Sequence, residues 1–183
     1  MTPPAPPLPP LKLDPFAALL SYLIPGLGQI YQGRIGKGAM FLVCLYGLFF
    51  YGMYLGHFKN VYLPDSDTKQ NVIVSWKPLG DIENRPHFAG QFWIGMAAWP
   101  ALVQYSRFDP IEKEPMLHGW MRNSKEDELN QLQRDGDKRW DLGWVYTVIA
   151  GVLNVLVIYD ALAGPAHRGA PKKTPAEKEP VAA

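Results

Sequence analysis

Four uncharged apolar runs limit what this chain can fold into. Residues 16–33, 39–58, 88–105 and 144–159, of 18, 20, 18 and 16 residues, contain no Asp, Glu, Lys or Arg. Most of the 18 basic and 17 acidic side chains lie between them. A helix crossing the hydrocarbon core of a bilayer needs about 20 mostly apolar residues, with about 17 as the lower limit. The second run, AMFLVCLYGLFFYGMYLGHF, meets that unaided. The fourth, WVYTVIAGVLNVLVIYDAL (144–162), meets it when Asp160 lies at the interface. The first and third are borderline. The mean hydropathy of −0.11 resembles that of a soluble protein only because it averages the runs with the charged stretches between them. The pattern predicts an all-α integral membrane protein of about four hydrophobic helical segments, three or four of them spanning, with the lipid bilayer as its surroundings.

The expected organisation is a disordered proline-rich tail at 1–15, a helical membrane domain at 16–162 and a disordered Ala-, Pro- and Lys-rich tail at 163–183. The first 15 residues lack the basic region of a cleaved signal peptide. Asp14 and Pro15 predict a helix start, as N-cap and first helical residue. Pro25 disfavours helical geometry at Ile24, and Gly26 and Gly28 weaken any helix beyond it. Unbroken, residues 16–31 would reach about 24 Å at 1.5 Å per residue, short of the roughly 30 Å hydrocarbon core. The first segment is therefore a broken, tilted span or a re-entrant hairpin. The third contains Pro100, which predicts a kinked short span, with an interfacial helix as the alternative.

The polar loop 59–87 holds a short strand signal, VIVSW at 72–76. Loop 106–143 holds SKEDELNQLQR at 124–134, a short amphipathic helix with a capping box, and then a turn at 135–137. If all four segments cross, Lys and Arg divide evenly between the two sides. A re-entrant first segment shifts the balance slightly toward placing 33–38 and 106–143 together on the cytoplasmic side.

Small residues mark candidate packing faces: Gly52 with Gly56, Ala97 with Ala101, and on the last segment Thr147, Ala150, Gly151, Asn154, Ile158 and Ala161. These faces suit a homo- or hetero-oligomer as well as packing within the chain. Asn154 falls near mid-span and requires a hydrogen-bond partner on a neighbouring helix. Asp160 lies about one turn from the end of its helix, which places it at the interface with water or a basic partner.

The stretch IPGLGQIYQGRIGKG (24–38) comes near two phosphate-binding signatures and satisfies neither. Tyr31 stands where a dinucleotide fingerprint needs its third glycine and where a P-loop needs its first, and Gly38 replaces the P-loop Ser or Thr. Nucleotide binding is excluded on these residues. A net charge of +1 leaves no general basic surface for nucleic acid. His57, His87, His118 and His167 lack metal spacing, and Cys44 is the single cysteine. No catalytic constellation, metal or cofactor is expected, and the chain reads as non-enzymatic. Two chemical roles remain: Arg34 and Lys37 as contacts to lipid phosphates, and Asn154 with Asp160 as a polar path in a small transport or channel subunit.

Leu20, Ser21, Pro25, Gly26, Gly28, Gln29, Tyr31, Gly33, Lys37 and Gly38 together resemble an LSxxxPGxGQxYxGxxxKG signature of small bacterial membrane proteins, distantly similar to the transmembrane-two domain. DLGWVYTVIAGVLNVLVIYDALAGP resembles the last span of a bacterial family of unknown function that begins with the same signature. The resemblance implies a multi-helix protein of the bacterial inner membrane without assigned catalytic residues or cofactor. The chain departs from the transmembrane-two domain in having two extra apolar segments.

Overall fold

A computed structural model describes residues 13–63, 86–106, 116–122, 130–131, 134 and 138–164. The strand signal at 72–76, the turn at 135–137, most of the 124–134 helix and nearly all of both tails lie outside these residues. The described residues form helices joined by turns and irregular segments, without strands.

Helix α1 (Pro15–Leu23) begins as its sequence dictates. Pro15 occupies the first turn, and Asp14 Oδ1 accepts from the Ala17 N–H at 3.1 Å. It stops because Ile24, ahead of Pro25, is extended (φ −137°, ψ 119°). Gly26 then turns the chain at φ +86°, and the short α2 (Leu27–Tyr31) comes next. A second turn, through Gly33 at φ +79°, leads into the 21-residue α3 (Ile35–Leu55). Helix α4 (Pro86–Phe92) ends in a tight turn at Gly95 (φ 85°, ψ −137°). A 3-10 turn, Met96–Ala98, continues into α5 (Trp99–Ser106). After a 3-10 turn at Met116–Gly119 comes the 25-residue α6 (Arg139–Ala163).

Helices α3 and α6 run antiparallel. Lys37 meets Asp160 at one end, and Gly52 lies against Gly143 and Thr147 at the other. The approach is close because both sides are small. A Cβ on Gly52 would lie 2.7 Å from the Gly143 carbonyl oxygen, and one on Gly143 would lie 2.7 Å from the Gly56 nitrogen. Of the described helices, these two are long and apolar enough to cross a membrane, by length and composition.

The other two apolar runs fold back on themselves. Just before the first, the Asp14 N–H donates to the Leu162 carbonyl (2.9 Å); near its end, Gln32 Nε2 donates to the Ala161 carbonyl (2.7 Å). Both ends of this hairpin therefore sit at the Asp160 end of α6, and its turn reaches only the level of Asn154, which bonds the Ser21 carbonyl. The second hairpin enters from the opposite end, where the His87 ring meets Trp144 at 3.9 Å. Its turn also reaches Asn154, through the Trp93 carbonyl (2.8 Å). It then returns, with Gln104 Nε2 donating to the Trp120 carbonyl and Trp120 stacked on Phe58 just beyond α3.

Three expectations change. Two helices rather than three or four have spanning length and composition. The third run breaks at Gly95 rather than Pro100, because Pro100 sits in the first turn of α5, where its missing N–H costs no helical bond. Residues 34–37 and 116–122 lie at opposite ends of the α3–α6 pair, because the third run returns to the end at which it entered.

Near the Trp144 end, an apolar cluster fills the space between the second hairpin and α3, with Phe49, Met53, Phe88, Ile94, Ala98 and Ala101 buried. Ala101 and the half-buried Ala97 thus pack within this core, on α5 and the 3-10 turn before it.

Candidate functional site

The inner face of α6 carries a ladder of polar contacts along almost its whole length. At the Trp144 end, Thr147 Oγ1 donates to the Trp144 carbonyl and accepts from Gln91 Nε2 at 2.8 Å. Gln91 also donates to the Asn60 carbonyl at 3.1 Å. One turn further, Gly151 is pressed against the Gly90 carbonyl and has no room for a side chain. Asn154 Nδ2 then donates to the carbonyls of both hairpins, Ser21 at 3.2 Å and Trp93 at 2.8 Å. The expected helix partner for Asn154 is therefore two interrupted backbones rather than one side chain.

The next rung explains the glutamine of the break motif. Gln29 is fully buried; its Nε2 donates to the Val157 carbonyl (2.8 Å) and to Asp160 Oδ2 (3.1 Å), and its Oε1 accepts from Ser21 Oγ (3.0 Å). Ser21 Oγ in turn accepts from the Gly28 N–H at 3.2 Å. Hydrogen bonds of this kind contribute about 0.5–1.5 kcal/mol each, and a buried group that loses its partner costs about 1–3 kcal/mol. The motif glycines have steric reasons. A side chain at Gly28 would strike the Ala17 carbonyl, and Gly26 and Gly38 lie back to back where the hairpin meets α3. Pro25 is fully buried at the turn, while Tyr31 is exposed with its ring edge-on to Phe16 at 5.2 Å.

At the rim, Asp160 gathers both candidate cations. Arg34 Nη2 lies 2.8 Å from Oδ2, and Lys37 Nζ lies 2.6 Å from Oδ1. Lys37 also stands 5.4 Å over the Phe41 ring. Arg34 and Lys37, expected as lipid-phosphate contacts, thus turn to a carboxylate of the same chain. This closes α6 against both the first hairpin and the start of α3. Asp160→Asn keeps an acceptor for Gln29 but leaves two cations sharing no charge. We expect a loss of about 1–2 kcal/mol, or about 2–8 °C in Tm for a chain of this size. The gap from wild type should narrow as salt screens the pair. Melting curves at low and high salt in detergent check this; an unchanged Tm at low salt would remove Asp160 from the rim.

The candidate packing residues are used inside the molecule: Gly52 on Gly143 and Thr147, Gly56 on the Asn60 side chain, and Gly151 on Gly90. Sequence reasoning named Asn154 and Asp160 and placed Gln29 in the break motif, but gave Gln29 no partner and assigned no role to Ser21 or Gln91. The available signal was an isolated polar side chain inside an uncharged run. The described residues contain no group of three or more His, Cys, Asp or Glu placed to hold a metal.

Compared with curated proteins and with solved structures, the chain matches none. Residues 16–174 match a family of unknown function, DUF6677, and that span takes in both hairpins, both long helices and the rim cluster. The chain belongs to the DUF6677 family.

Proposed function

We propose that this chain is a multi-pass protein of the bacterial cytoplasmic membrane, non-enzymatic, and built to hold a compact helical unit that partners bind. One observation carries the membrane reading: large apolar side chains face outward along both long helices while several polar side chains are fully buried. Gln29, Gln91, Thr147 and Asn154 are fully buried, while Val43, Phe50, Tyr54, Leu156 and Tyr159 lie on the outside. The most apolar windows of α3 and α6 are only 28% and 33% buried, whereas the core helix of a soluble domain would be mostly covered. In water, such continuous apolar faces are unfavourable. In a bilayer they are solvated, and the buried amides find their partners inside.

The hairpins fit this setting. Helix α1 has nine residues, about 14 Å, or half of the roughly 30 Å core. Irregular backbone at membrane depth is tolerated only where protein covers it, and both turns lie against α6. A transport path through Asn154 draws no support, since that side chain is closed off on every side. For partner binding, the outward face of α3 is one available surface, because Gly36 and Gly47 have open space beside them.

This reading predicts a distinctive topology, testable with single cysteines in a Cys44→Ser background. Leu13→Cys and Gly36→Cys should label from one side of the membrane, and His57→Cys and His118→Cys from the other. Four complete spans would separate the members of each pair. The stretches 59–87 and 107–143 hold eleven of the 18 Lys and Arg, so the His57 and His118 side should be cytoplasmic. Quantitative release of the chain from membranes by carbonate would sink the proposal altogether.

A further inference from the structure

The order hairpin, long helix, hairpin, long helix occurs once and then again in inverted orientation. The first hairpin begins and ends at the Asp160 end, and α3 leads away from it. The second begins and ends at the Trp144 end, and α6 leads back. Each hairpin turns on a glycine at positive φ, +86° at Gly26 and +85° at Gly95, though ψ differs (−11° and −137°). Each outgoing arm carries a fully buried polar side chain shortly before the turn, Ser21 in one and Gln91 in the other. In membrane proteins made of inverted units, binding sites form where interrupted helices from the two halves meet. Here that place is the inner face of α6 around Asn154, where the Gly95 backbone also lies against the carbonyls of Tyr22 and Leu23.

The chemistry of this junction is one-sided. Helices α1 and α4 both direct their C-termini toward it, bringing the negative ends of two dipoles and their last carbonyls. The N–H groups at the start of the return arms are taken up locally. Leu27 donates to the Ile24 carbonyl, Gly28 to Ser21 Oγ and Ala98 to the Gly95 carbonyl. Asn154 spends both N–H bonds on the hairpin carbonyls, while its Oδ1, fully buried, accepts nothing among the described residues. Gln91 Oε1, on the second hairpin at the level of Thr147, likewise accepts nothing among the described residues. The surplus consists of acceptors, and each is a neutral oxygen. A divalent ion takes carboxylates as well; a set of carbonyl and carboxamide oxygens with no carboxylate suits a singly charged hard cation.

We propose that the junction of the two hairpin tips binds a small monovalent metal cation, Na+ or K+, with Asn154 Oδ1 as its side-chain ligand and carbonyls of the tips around it. The cation is resident, enclosed where the two inverted units meet, and it offsets the charge of the converging helix ends. The site relies on the membrane reading for its depth and not for its ligands, so the two can fail separately.

The test uses the full chain in detergent, melted in choline chloride, NaCl and KCl at equal ionic strength. One metal cation should raise Tm saturably, by about 3–6 °C at ten times its Kd. Asp160→Asn should retain that increment, and Asn154→Leu should lose it. Should Asn154→Leu fail to fold, Asn154→Asp serves instead: a charged oxygen at the same place should bring saturation at about tenfold lower cation. Equal melting in all three salts overturns the site whatever the labelling topology shows. So does an increment that survives Asn154→Leu, or an Asn154→Asp chain with no stronger response than wild type.

Discussion

Gly28→Leu should leave little folded protein in detergent. Helix α2 crosses α1 so closely that even a Cβ at Gly28 would collide with the Ala17 carbonyl and with Ser21 Oγ. Neither can retreat at low cost, since one is helix backbone and the other is bonded to both the Gly28 N–H and Gln29. A leucine must therefore lift α2 off α1. That movement withdraws Gln29 from Val157 and Asp160, and the loss spreads from one contact to the seam between the first hairpin and α6. Overpacking of this kind costs about 3 kcal/mol or more, which in a chain of this length lowers Tm by about 6–12 °C. Size-exclusion yield and thermal melting read it directly; a wild-type yield and Tm would mean that α1 and α2 do not pack as described.

Gly95→Ala should have the next largest effect, by a different route. At φ 85°, ψ −137° the residue occupies backbone space that side chains rarely enter, and an added Cβ would also strike the Tyr22 carbonyl. Conformational strain contributes about 1–3 kcal/mol, and displacement of the first hairpin adds to it. The expected Tm loss is about 4–12 °C. Alanine is small, so the effect reports on backbone conformation and the meeting of the tips rather than on bulk. Gly47→Ala is the control: nothing lies within 4 Å of that position, inside α3, and its melting should equal or exceed that of wild type, since alanine favours a helix interior. Equal behaviour of the two variants would show that the hairpin tips do not touch.

Local features were legible in the sequence wherever local chemistry decides the outcome. Asp14–Pro15 starts a helix and Ile24–Pro25 ends one by steric and hydrogen-bonding rules that act within a few residues, and both are found in place. The uncharged runs at 39–58 and 144–159 likewise became the two long helices, extended at their starts by Ile35–Gly38 and by Arg139–Gly143. The break at Pro25 and Gly26 was equally readable. Less visible was the break at Gly95, because a lone glycine in an apolar run carries no local instruction to turn, and Pro100 was the stronger decoy.

Direction and pairing were decided elsewhere. Composition alone cannot say whether a short apolar run crosses or returns. That choice depends on what covers its turn, and the cover is Asn154, 133 residues from the Ser21 carbonyl it binds. The same holds at the rim. Arg34 and Lys37 read as free cations until the antiparallel packing of α3 on α6, set by Gly52 against Gly143, brings Asp160 between them. By itself the sequence determined where helices start and stop and which of them are apolar, since those properties depend on neighbouring residues. Only the tertiary structure decided that two runs fold back from opposite ends and meet at one amide, because long-range hydrogen bonds and close glycine contacts exist only once the helices are side by side.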